Sequence, residues 1–319
     1  RVLLLSKEVL ERRMLSGFLS ETPVADLIEV ERAFVGRAFL GPPESVGFVD
    51  LTERLRSEGL LETINAPSFS PWMHHNRIYG LPHDVHPVML GYRSDLVEAA
   101  GIDVSEIETW DDVERVMSPL MADADGDGLP DRYLLGLWEN DAPKIEVLML
   151  QAGGGYFAPD GSLALDRAVN ARVLARVVDW MAGPGRIADE VPDFTGSGNK
   201  LKLDGHAIAY LMPDWMCSIW RVEIPQLEGR VKVMPLPAWE PGGRRTSVWG
   251  GTMLGIARTS ADVEGAWAVA KDLYLSPDVA RSWYEIADII TPVTTLWNDP
   301  VFDRPDPYFS GQHRARGTG

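Results

Sequence analysis

The sequence predicts an α/β fold built as two lobes, each with a central mixed sheet flanked by helices. A length of 319 residues is enough for two domains that each have a sizeable core. Strand-like apolar runs and amphipathic helical patterns are interleaved along the chain, which is typical of α/β proteins. Two proline-marked segments, 78–96 and 230–237, have the extended character expected where the chain crosses from one lobe to the other.

The segment 78–96 is the clearest of these patterns. Pro82 and Pro87 fix φ and remove two backbone donors, which disfavours a helix. A strand-like apolar stretch follows the second proline, and Ser94 is suited to cap a helix that ends at Gly101. The segment is therefore predicted to be extended, to enter a buried strand and to continue into a helix.

The other elements can be assigned in chain order from apolar spacing and from residues that start or stop helices. We predict a strand at 1–5, a helix at 8–18, a strand at 24–30, a helix at 110–122, a strand at 133–138, helices at 145–152 and 168–181, a flexible loop at 194–199, strands at 206–212, 230–237 and 253–257, and helices that begin near 260 and 277. Thr109 and Asp112 predict a capping box at the start of the helix 110–122.

Composition excludes several classes of function. The formal net charge of −17 and the lack of a basic stripe argue against a nucleic-acid partner, and the same acidity disfavours binding to an anionic membrane. No apolar run approaches the roughly 20 residues of a membrane span. Cys217 is the single cysteine, so it cannot form an internal disulfide.

The stretch 123–131 is rich in aspartate and glycine. Carboxylates at positions 1, 3, 5 and 9 of this stretch, with glycine at position 6, match the first part of an EF-hand calcium loop; they are Asp123, Asp125, Asp127 and Asp131. Position 12 is Leu134, where that loop needs a bidentate glutamate. Two alternatives remain: a weak calcium site completed by other ligands, and a turn that binds nothing.

The pattern of 78–96, Ile-Tyr-Gly-Leu-Pro followed by an apolar run ending in Tyr and then Arg-Ser-Asp-Leu, resembles the first hinge crossing of the family 1 extracellular solute-binding proteins. These are the sugar-capturing receptors of ABC importers. The run from Gly250-Gly251-Thr252 through Ser276-Pro277 resembles the signature of the family's second half. The resemblance covers nearly the whole chain from about Pro23.

This resemblance implies a type II periplasmic-binding-protein fold, with a hinge and a ligand cleft between lobes. We expect an N-lobe from 1–86 and 242–300, a C-lobe from 87–241, and in 301–319 the start of a C-terminal segment that is truncated here, as the N-terminus also is. The resemblance also implies a carbohydrate ligand, ABC permease subunits as partners, a monomer, and a periplasmic or membrane-anchored extracellular location. No cofactor is expected apart from the candidate calcium ion.

Sugar recognition needs flat aromatic rings for the apolar faces and polar groups for the hydroxyls. Tryptophans beside polar residues at strand ends are the best candidates among the eleven in the chain, with ordinary packing as the alternative for each of them. The candidate ligand-binding residues in this group are Trp138, Glu139, Asp214, Trp215, Trp249, Gly250 and Gly251, where the glycines let backbone donors approach a ligand. Trp110, Trp180 and Trp267 lie in helical patterns and are predicted to be core residues.

Three further candidates have alternatives that the sequence leaves open. The resemblance places Glu31 at a cleft-facing strand end, although the residues there also fit a solvated loop of charges. Asp84 and His86 share a face of an extended segment and fit either ligand contacts or structural hydrogen bonds. His83 and His86 point in opposite directions in such a segment, which disfavours a zinc site.

Two other functions remain as alternatives. A glycosidase needs only two carboxyl groups at the right separation, and Asp84 and Asp214 are candidates for such a pair. A sensor module that presents bound sugar to a membrane receptor would use the same fold. The sequence contains no nucleophile elbow, phosphate loop or metalloprotease motif, so we expect a binding protein and not an enzyme.

Overall fold

The computed structural model describes residues 2–123, 125–128, 130–138, 142–158, 161–183 and 185–312. Contacts within the chain divide it into two compact units. Unit 1 comprises the described residues of Arg1–His86 and Gly250–Val301, and unit 2 those of Pro87–Trp249 and Phe302–Gly319.

The chain returns to unit 1 after Trp249, whereas the sequence placed the return after residue 241. The reason is local pairing within unit 2. The Val88 amide donates to the carbonyl of Ser247, and Pro87 forms an antiparallel bridge with Val248. These contacts keep the stretch before Trp249 with unit 2.

Helices and strands alternate through both units. The helices are α1 (Lys7–Ser20), α2 (Arg32–Ala38), α3 (Thr52–Ser57), α4 (Leu60–Thr63), α5 (Ser94–Ala99), α6 (Trp110–Met117), α7 (Ala142–Gln151), α8 (Ala168–Ala182), α9 (Gly196–Asp204), α10 (Asp214–Glu223), α11 (Val263–Leu275) and α12 (Pro277–Ala287). The strands are β1 (Leu27–Glu31), β2 (Met73–His74), β3 (Arg77–Ile78), β4 (Leu81–Pro82), β5 (Val88–Arg93), β6 (Tyr133–Leu137), β7 (Ala188–Glu190), β8 (Ala207–Pro213), β9 (Val231–Pro235) and β10 (Thr252–Ile256). Short 3₁₀ helices cover Pro43–Ser45, Ala66–Trp72, Val104–Glu106, Ser118–Leu120, Pro225–Leu227, Thr294–Leu296 and Pro300–Asp303.

Unit 2 is organised around a five-stranded mixed sheet with the strand order β7-β6-β8-β5-β9. β6 runs parallel to β7 and β8, while β5 is antiparallel to β8 and β9. Every residue of β8 is buried, as expected for an apolar run covered on both faces. Because β6, β7 and β8 point the same way, the segments that follow them all lie at one edge of the sheet.

Unit 1 has smaller sheets. β1, β10 and β4 form a three-stranded sheet, and β2 pairs with β3. All of these pairs are antiparallel, so among the described residues the central mixed sheet that we expected in each lobe is present only in unit 2. The core of unit 1 consists of two hydrophobic clusters, one around Leu81 and Trp267 and the other around Phe48 and Trp72.

Most of the predicted elements are present within a few residues of their expected bounds. Thr109 and Asp112 form the predicted capping box, because each side chain accepts the other residue's backbone N–H. The predicted core tryptophans are confirmed as buried; they are Trp110, Trp180 and Trp267, none more than 3% exposed. Ser94 is the first residue of α5 and not its N-cap, which is Arg93.

Two predictions were wrong. The N-terminal stretch before α1 forms no strand in its described residues, and Val2, Leu3 and Leu4 are exposed there. The predicted loop 194–199 instead contains the start of α9, because the Thr195 hydroxyl accepts the amide of Gly198 and so caps the helix. Among the described residues, no helix is both long and apolar enough to cross a membrane.

Candidate functional site

Asp214 and Trp215 lie where β8 ends and α10 begins. Pro213 is the N-cap of the helix, so the buried Asp214 carboxylate sits in the first turn, where the helix dipole favours negative charge. Asp214 Oδ1 accepts the Trp215 amide at 2.8 Å, and the Asp214 amide donates to the Pro87 carbonyl at 3.3 Å. These bonds fix both residues at the sheet edge defined by the ends of β6, β7 and β8.

Trp215 belongs to an aromatic group that we call the Trp215 cluster, formed by Phe194, Trp215 and Trp249. The indole Nε1–H of Trp215 donates to the Trp249 carbonyl at 2.9 Å, and the two rings meet edge to face at 5.6 Å. The Phe194 ring stacks on Trp215 at 6.1 Å and is 54% exposed. Unit 2 therefore holds three aromatic rings together, with one of them open to solvent.

A buried ion cluster lies beside these rings. The Asp193 carboxylate contacts the ammonium groups of Lys144 and Lys202, each at 2.7 Å, and all three side chains are at most 5% exposed. Burial would raise the pKa of Asp193, but the charges of the two lysines outweigh burial and hold that pKa below its usual value. Lys144 Nζ also lies 5.8 Å from the centre of the Trp249 ring. Ionic groups are thus adjacent to the aromatic rings.

Trp138 directly follows β6 and is partly exposed, at the sheet edge where β8 leads into Asp214. Its neighbour Glu139, the other candidate predicted there, lies outside the described residues. The structure thus places Trp138, Asp214 and Trp215 at the ends of neighbouring strands of one sheet.

Asp84 is the centre of the corresponding polar group in unit 1. Its Oδ2 atom lies 3.0 Å from His86 Nε2 and 3.4 Å from His83 Nδ1, and all three residues are buried. Burial would raise the pKa of Asp84, but the charge interaction with His86, together with the close contacts to both histidines, lowers it to about 2. Asp84 is therefore ionised at neutral pH.

His83 connects Asp84 to further aromatic residues. Its ring packs on Tyr274 at 4.5 Å and meets the edge of Trp283, which is 39% exposed, at 5.1 Å. Burial, followed by the charges of Glu29 and Asp84, raises the pKa of Tyr274 well above its usual value. A partly exposed tryptophan thus stands close to a buried carboxylate in unit 1.

Gly250 and Gly251 have φ of 105° and 125°, a region that other residues rarely adopt. The Gly251 carbonyl accepts the Arg32 amide, and a Cβ atom at Gly251 would lie 3.8 Å from Asp84 Oδ1. Glu31, at the end of β1, forms an ion pair with Lys7 at 2.8 Å on a partly exposed surface. Gly251 therefore adjoins Asp84, and Glu31 is engaged with α1.

The acidic stretch 123–131 presents carboxylates close together. Ligand atoms of Asp123, Asp125 and Asp131 all lie within 4.8 Å of one another, and all three residues are exposed. Asp123 accepts the amides of Gly126 and Gly128, as expected for an Asx-type turn. Asp127 is not a member of this group. The group has the oxygen ligands that Ca²⁺ prefers.

Several residues in these groups were missed by the sequence analysis. Lys144 and Lys202 are cations in otherwise ordinary helical patterns, and Phe194 was assigned to a loop. Tyr274 and Trp283 lie on α11 and α12 and give no local signal of a site. The one usable signal was Asp193-Phe194, an acidic residue beside an aromatic one shortly after a strand, the pattern that identified Asp214-Trp215.

The architecture is that of a two-unit α/β protein, with aromatic and carboxylate side chains at the sheet edge of the larger unit. A family model described as bacterial extracellular solute-binding protein matches residues 22–280. The chain belongs to this family, as the resemblance in the sequence predicted.

Curated relatives carry sugar-related names. The arabinooligosaccharide-binding protein of Halalkalibacterium halodurans is 23% identical over 94% of this chain and 65% of its own length. That of Bacillus subtilis is 26% identical over 76% of this chain and 54% of its own length, and the lactose-binding protein of Rhizobium radiobacter is 23% identical over 74% and 55%. The chain thus spans between about half and two thirds of the length of these relatives.

Solved structures show the same fold. The ABC transporter associated binding protein from B. animalis subsp. lactis Bl-04, in complex with β-1,6-galactobiose, aligns with a TM-score of 0.74 at 17% identity, over 99% of this chain and 77% of that one. The sugar-binding protein MalE from Xanthomonas citri aligns with a TM-score of 0.77 at 18% identity, over 99% and 76%. These alignments confirm the predicted type II periplasmic-binding-protein fold.

Proposed function

We propose that the protein is the extracytoplasmic receptor of an ABC importer, which captures a sugar or oligosaccharide and delivers it to the membrane permease. Family membership supports a solute-binding role, and the names of the three curated relatives support a carbohydrate. The proposal places the protein in the periplasm or at the outer face of the membrane, as a monomer.

The observation that carries this proposal is the Trp215 cluster beside Asp214 and the ion cluster of Asp193. A sugar ring offers apolar C–H faces to aromatic rings and hydroxyl groups to charged hydrogen-bonding partners. Trp215 is held by a hydrogen bond to the Trp249 carbonyl, and Phe194 by stacking, so the rings are pre-positioned. Pre-positioned rings lose less conformational entropy when a ligand binds.

In this proposal the protein binds its sugar and does not hydrolyse it. A glycosidase needs a general acid whose pKa is raised, so that it is protonated at working pH. Asp84 is one of the two carboxylates considered for that role. Its pKa is lowered and not raised, because its histidine neighbours bring it to about 2. Asp84 is therefore suited to accept hydrogen bonds from hydroxyl groups and not to donate a proton.

The direct test is calorimetry of the full chain with arabino-oligosaccharides, lactose and β-1,6-galactobiose. We expect saturable binding of at least one of these sugars and no release of reducing ends. Trp215→Ala should weaken binding about thirtyfold, the effect of losing one central aromatic contact of about 2 kcal/mol. Wild-type affinity in that variant, or time-dependent hydrolysis, would contradict the proposal.

Trp297→Ala is the matched control. Trp297 is 43% exposed in unit 1, and its indole N–H donates to the Thr291 carbonyl, so the substitution removes a tryptophan of comparable setting outside the Trp215 cluster. We expect unchanged sugar affinity in this control. Circular dichroism of both variants checks that each remains folded.

We further propose that the carboxylates of Asp123, Asp125 and Asp131 bind calcium weakly. Their mutual distances support this, since one ion could be reached by an oxygen from each residue. Leu134, at the position of the bidentate glutamate of an EF-hand, limits the expected affinity to the range of extracellular modules.

A further inference from the structure

A cavity of about 200 Å³ opens on unit 2 and contains none of the residues assigned to the sugar site. It is lined by Trp110, Asp111, Arg172, Arg176, Trp239 and Glu240. These residues come from the first turn of α6, the middle of α8 and the segment after β9. The cavity is smaller than the roughly 300–1,000 Å³ of sites for drug-sized ligands, so it suits a single ring.

The two indoles of this cavity are fixed by the protein. Trp110 Nε1–H donates to Gln151 Oε1 at 3.2 Å, and Trp239 Nε1–H donates to the Leu148 carbonyl at 3.1 Å. Trp239 also stacks on Trp180 at 5.7 Å with an interplanar angle of 13°. Because both N–H groups already have partners, neither indole offers a ligand a free donor. Trp110 is buried, so the apolar ring surface open to a ligand is that of the partly exposed Trp239.

The charged side chains of the cavity differ in whether they already have ion-pair or hydrogen-bond partners. Arg176 is ion-paired with Asp111 at 2.7 Å and with Glu114. Arg172 lies one helical turn earlier on α8 and is exposed, as is Glu240. Within the part of the chain that the structure describes, neither Arg172 nor Glu240 has a side-chain hydrogen bond or ion pair.

A neutral sugar ring matches this combination. Its apolar face can lie against an indole, a hydroxyl oxygen can accept from the Arg172 guanidinium, and a hydroxyl O–H can donate to the Glu240 carboxylate. An anion would be attracted by Arg172 but repelled by Glu240 and Asp111, and a cation would be repelled by both arginines. The balance of charges therefore favours a neutral ligand.

We propose that this cavity is a second carbohydrate site, separate from the Trp215 cluster, which binds one sugar ring through Arg172, Glu240 and the indole of Trp239. The choice of a carbohydrate as ligand rests on the proposed function. The site itself is inferred from the cavity and from Arg172 and Glu240, whose charged groups have no ion-pair partner among the described residues. The site would hold a free monosaccharide or one ring of a longer saccharide.

The test is ligand-observed NMR of the full chain with D-galactose and L-arabinose. We compare wild type, Trp215→Ala, the double variant Arg172→Ala with Glu240→Gln, and the combination of all three substitutions. The proposal predicts that Trp215→Ala keeps a residual site for at least one of the two sugars. Adding the two further substitutions should weaken that residual site about tenfold or more, because two charge-assisted hydrogen bonds are lost.

The control is Arg13→Ala in the Trp215→Ala background, since Arg13 is an exposed arginine of α1 in unit 1. Arg172 and Glu240 are exposed, so their substitution should not unfold the protein, which a thermal melt checks. Residual binding that is unchanged by Arg172→Ala and Glu240→Gln, or that is absent once Trp215 is replaced, would overturn the second site.

The same variants distinguish failure of the sugar site at the Trp215 cluster from failure of the second site. If Trp215→Ala leaves all sugar binding intact while Arg172→Ala with Glu240→Gln abolishes it, the second site stands and the assignment of the Trp215 cluster falls. If only Trp215→Ala weakens binding, the main proposal stands and the second site falls.

Discussion

Asp84 in unit 1 and Asp193 in unit 2 have the same local arrangement with different basic partners. Each is a buried carboxylate that contacts two basic side chains: His83 and His86 for Asp84, Lys144 and Lys202 for Asp193. In both, burial opposes ionisation and the basic neighbours outweigh it, so the pKa is lowered.

The difference lies in the type of basic side chain and in its aromatic neighbours. Around Asp193 the lysines lie over the rings of Trp249 and Trp220, and around Asp84 the aromatic contacts are made through His83 itself. In unit 2 the two lysines thus connect the buried carboxylate to tryptophan rings, whereas in unit 1 the basic partner His83 is itself the ring that packs on aromatic residues.

Asp193→Asn should have the largest effect on stability. It removes the carboxylate that both ammonium groups contact, and Lys144 and Lys202 are at most 3% exposed. Breaking a buried ion pair by removing one partner costs about 3–5 kcal/mol. Urea unfolding should show a loss of this order in the free energy of unfolding.

Asp204→Asn is the control for that loss, since Asp204 pairs with Lys200 on the exposed surface of α9. An exposed pair contributes at most about 1 kcal/mol, so the control should be nearly neutral. Equal effects of Asp193→Asn and Asp204→Asn would show that the buried cluster is not structural.

Asp84→Asn should cost less, about 2 kcal/mol near neutral pH, as expected from a carboxylate whose pKa falls from about 4 to about 2 on folding. Because the folded-state pKa is the lower one, this contribution is present above pH ~4 and is lost as pH falls toward about 2. Wild type should therefore lose stability between pH 4 and pH 2 more steeply than the variant does.

Chemical denaturation at pH 2.5, 3.5, 4.5 and 7 measures the difference between wild type and Asp84→Asn. Asp272→Asn serves as the control, because Asp272 is an exposed residue of α11 in the same unit. If wild type and Asp84→Asn lose stability in parallel over this range, the Asp84 carboxylate is not held by its histidines.

The smallest effect is expected at the exposed carboxylates of Asp123, Asp125 and Asp131, which extend the comparison to an acidic group on the surface. A calcium dissociation constant of about 10⁻⁴–10⁻³ M would stabilise the protein by about 0.4–1.4 kcal/mol at 1 mM Ca²⁺. The melting temperature should rise slightly with Ca²⁺ and fall again with chelator. Asp123→Asn should remove this response, and a melting temperature indifferent to Ca²⁺ in wild type would refute the site.

Local signals were sufficient for most of the secondary structure. The apolar run of β8 predicted a buried strand, and Pro277 predicted the start of α12. They were insufficient at Phe194, where the Thr195 cap converts an expected loop into the start of α9. They also failed at residues 2–5, the described part of the predicted strand 1–5, because β propensity alone does not form a strand without a partner to pair with.

The sequence by itself determined the family, the α/β character and the strand-end pairs such as Asp214-Trp215, because these depend on short-range periodicity and on ordered motifs. Only the tertiary structure decided that Asp193 joins Lys144 to Lys202, and that Arg172 shares a cavity with Glu240. These groups are formed by residues distant in sequence, whose proximity depends on how strands and helices pack. No local pattern carries that information, since a lysine on a helix has the same spacing whether it is solvated or buried against a carboxylate.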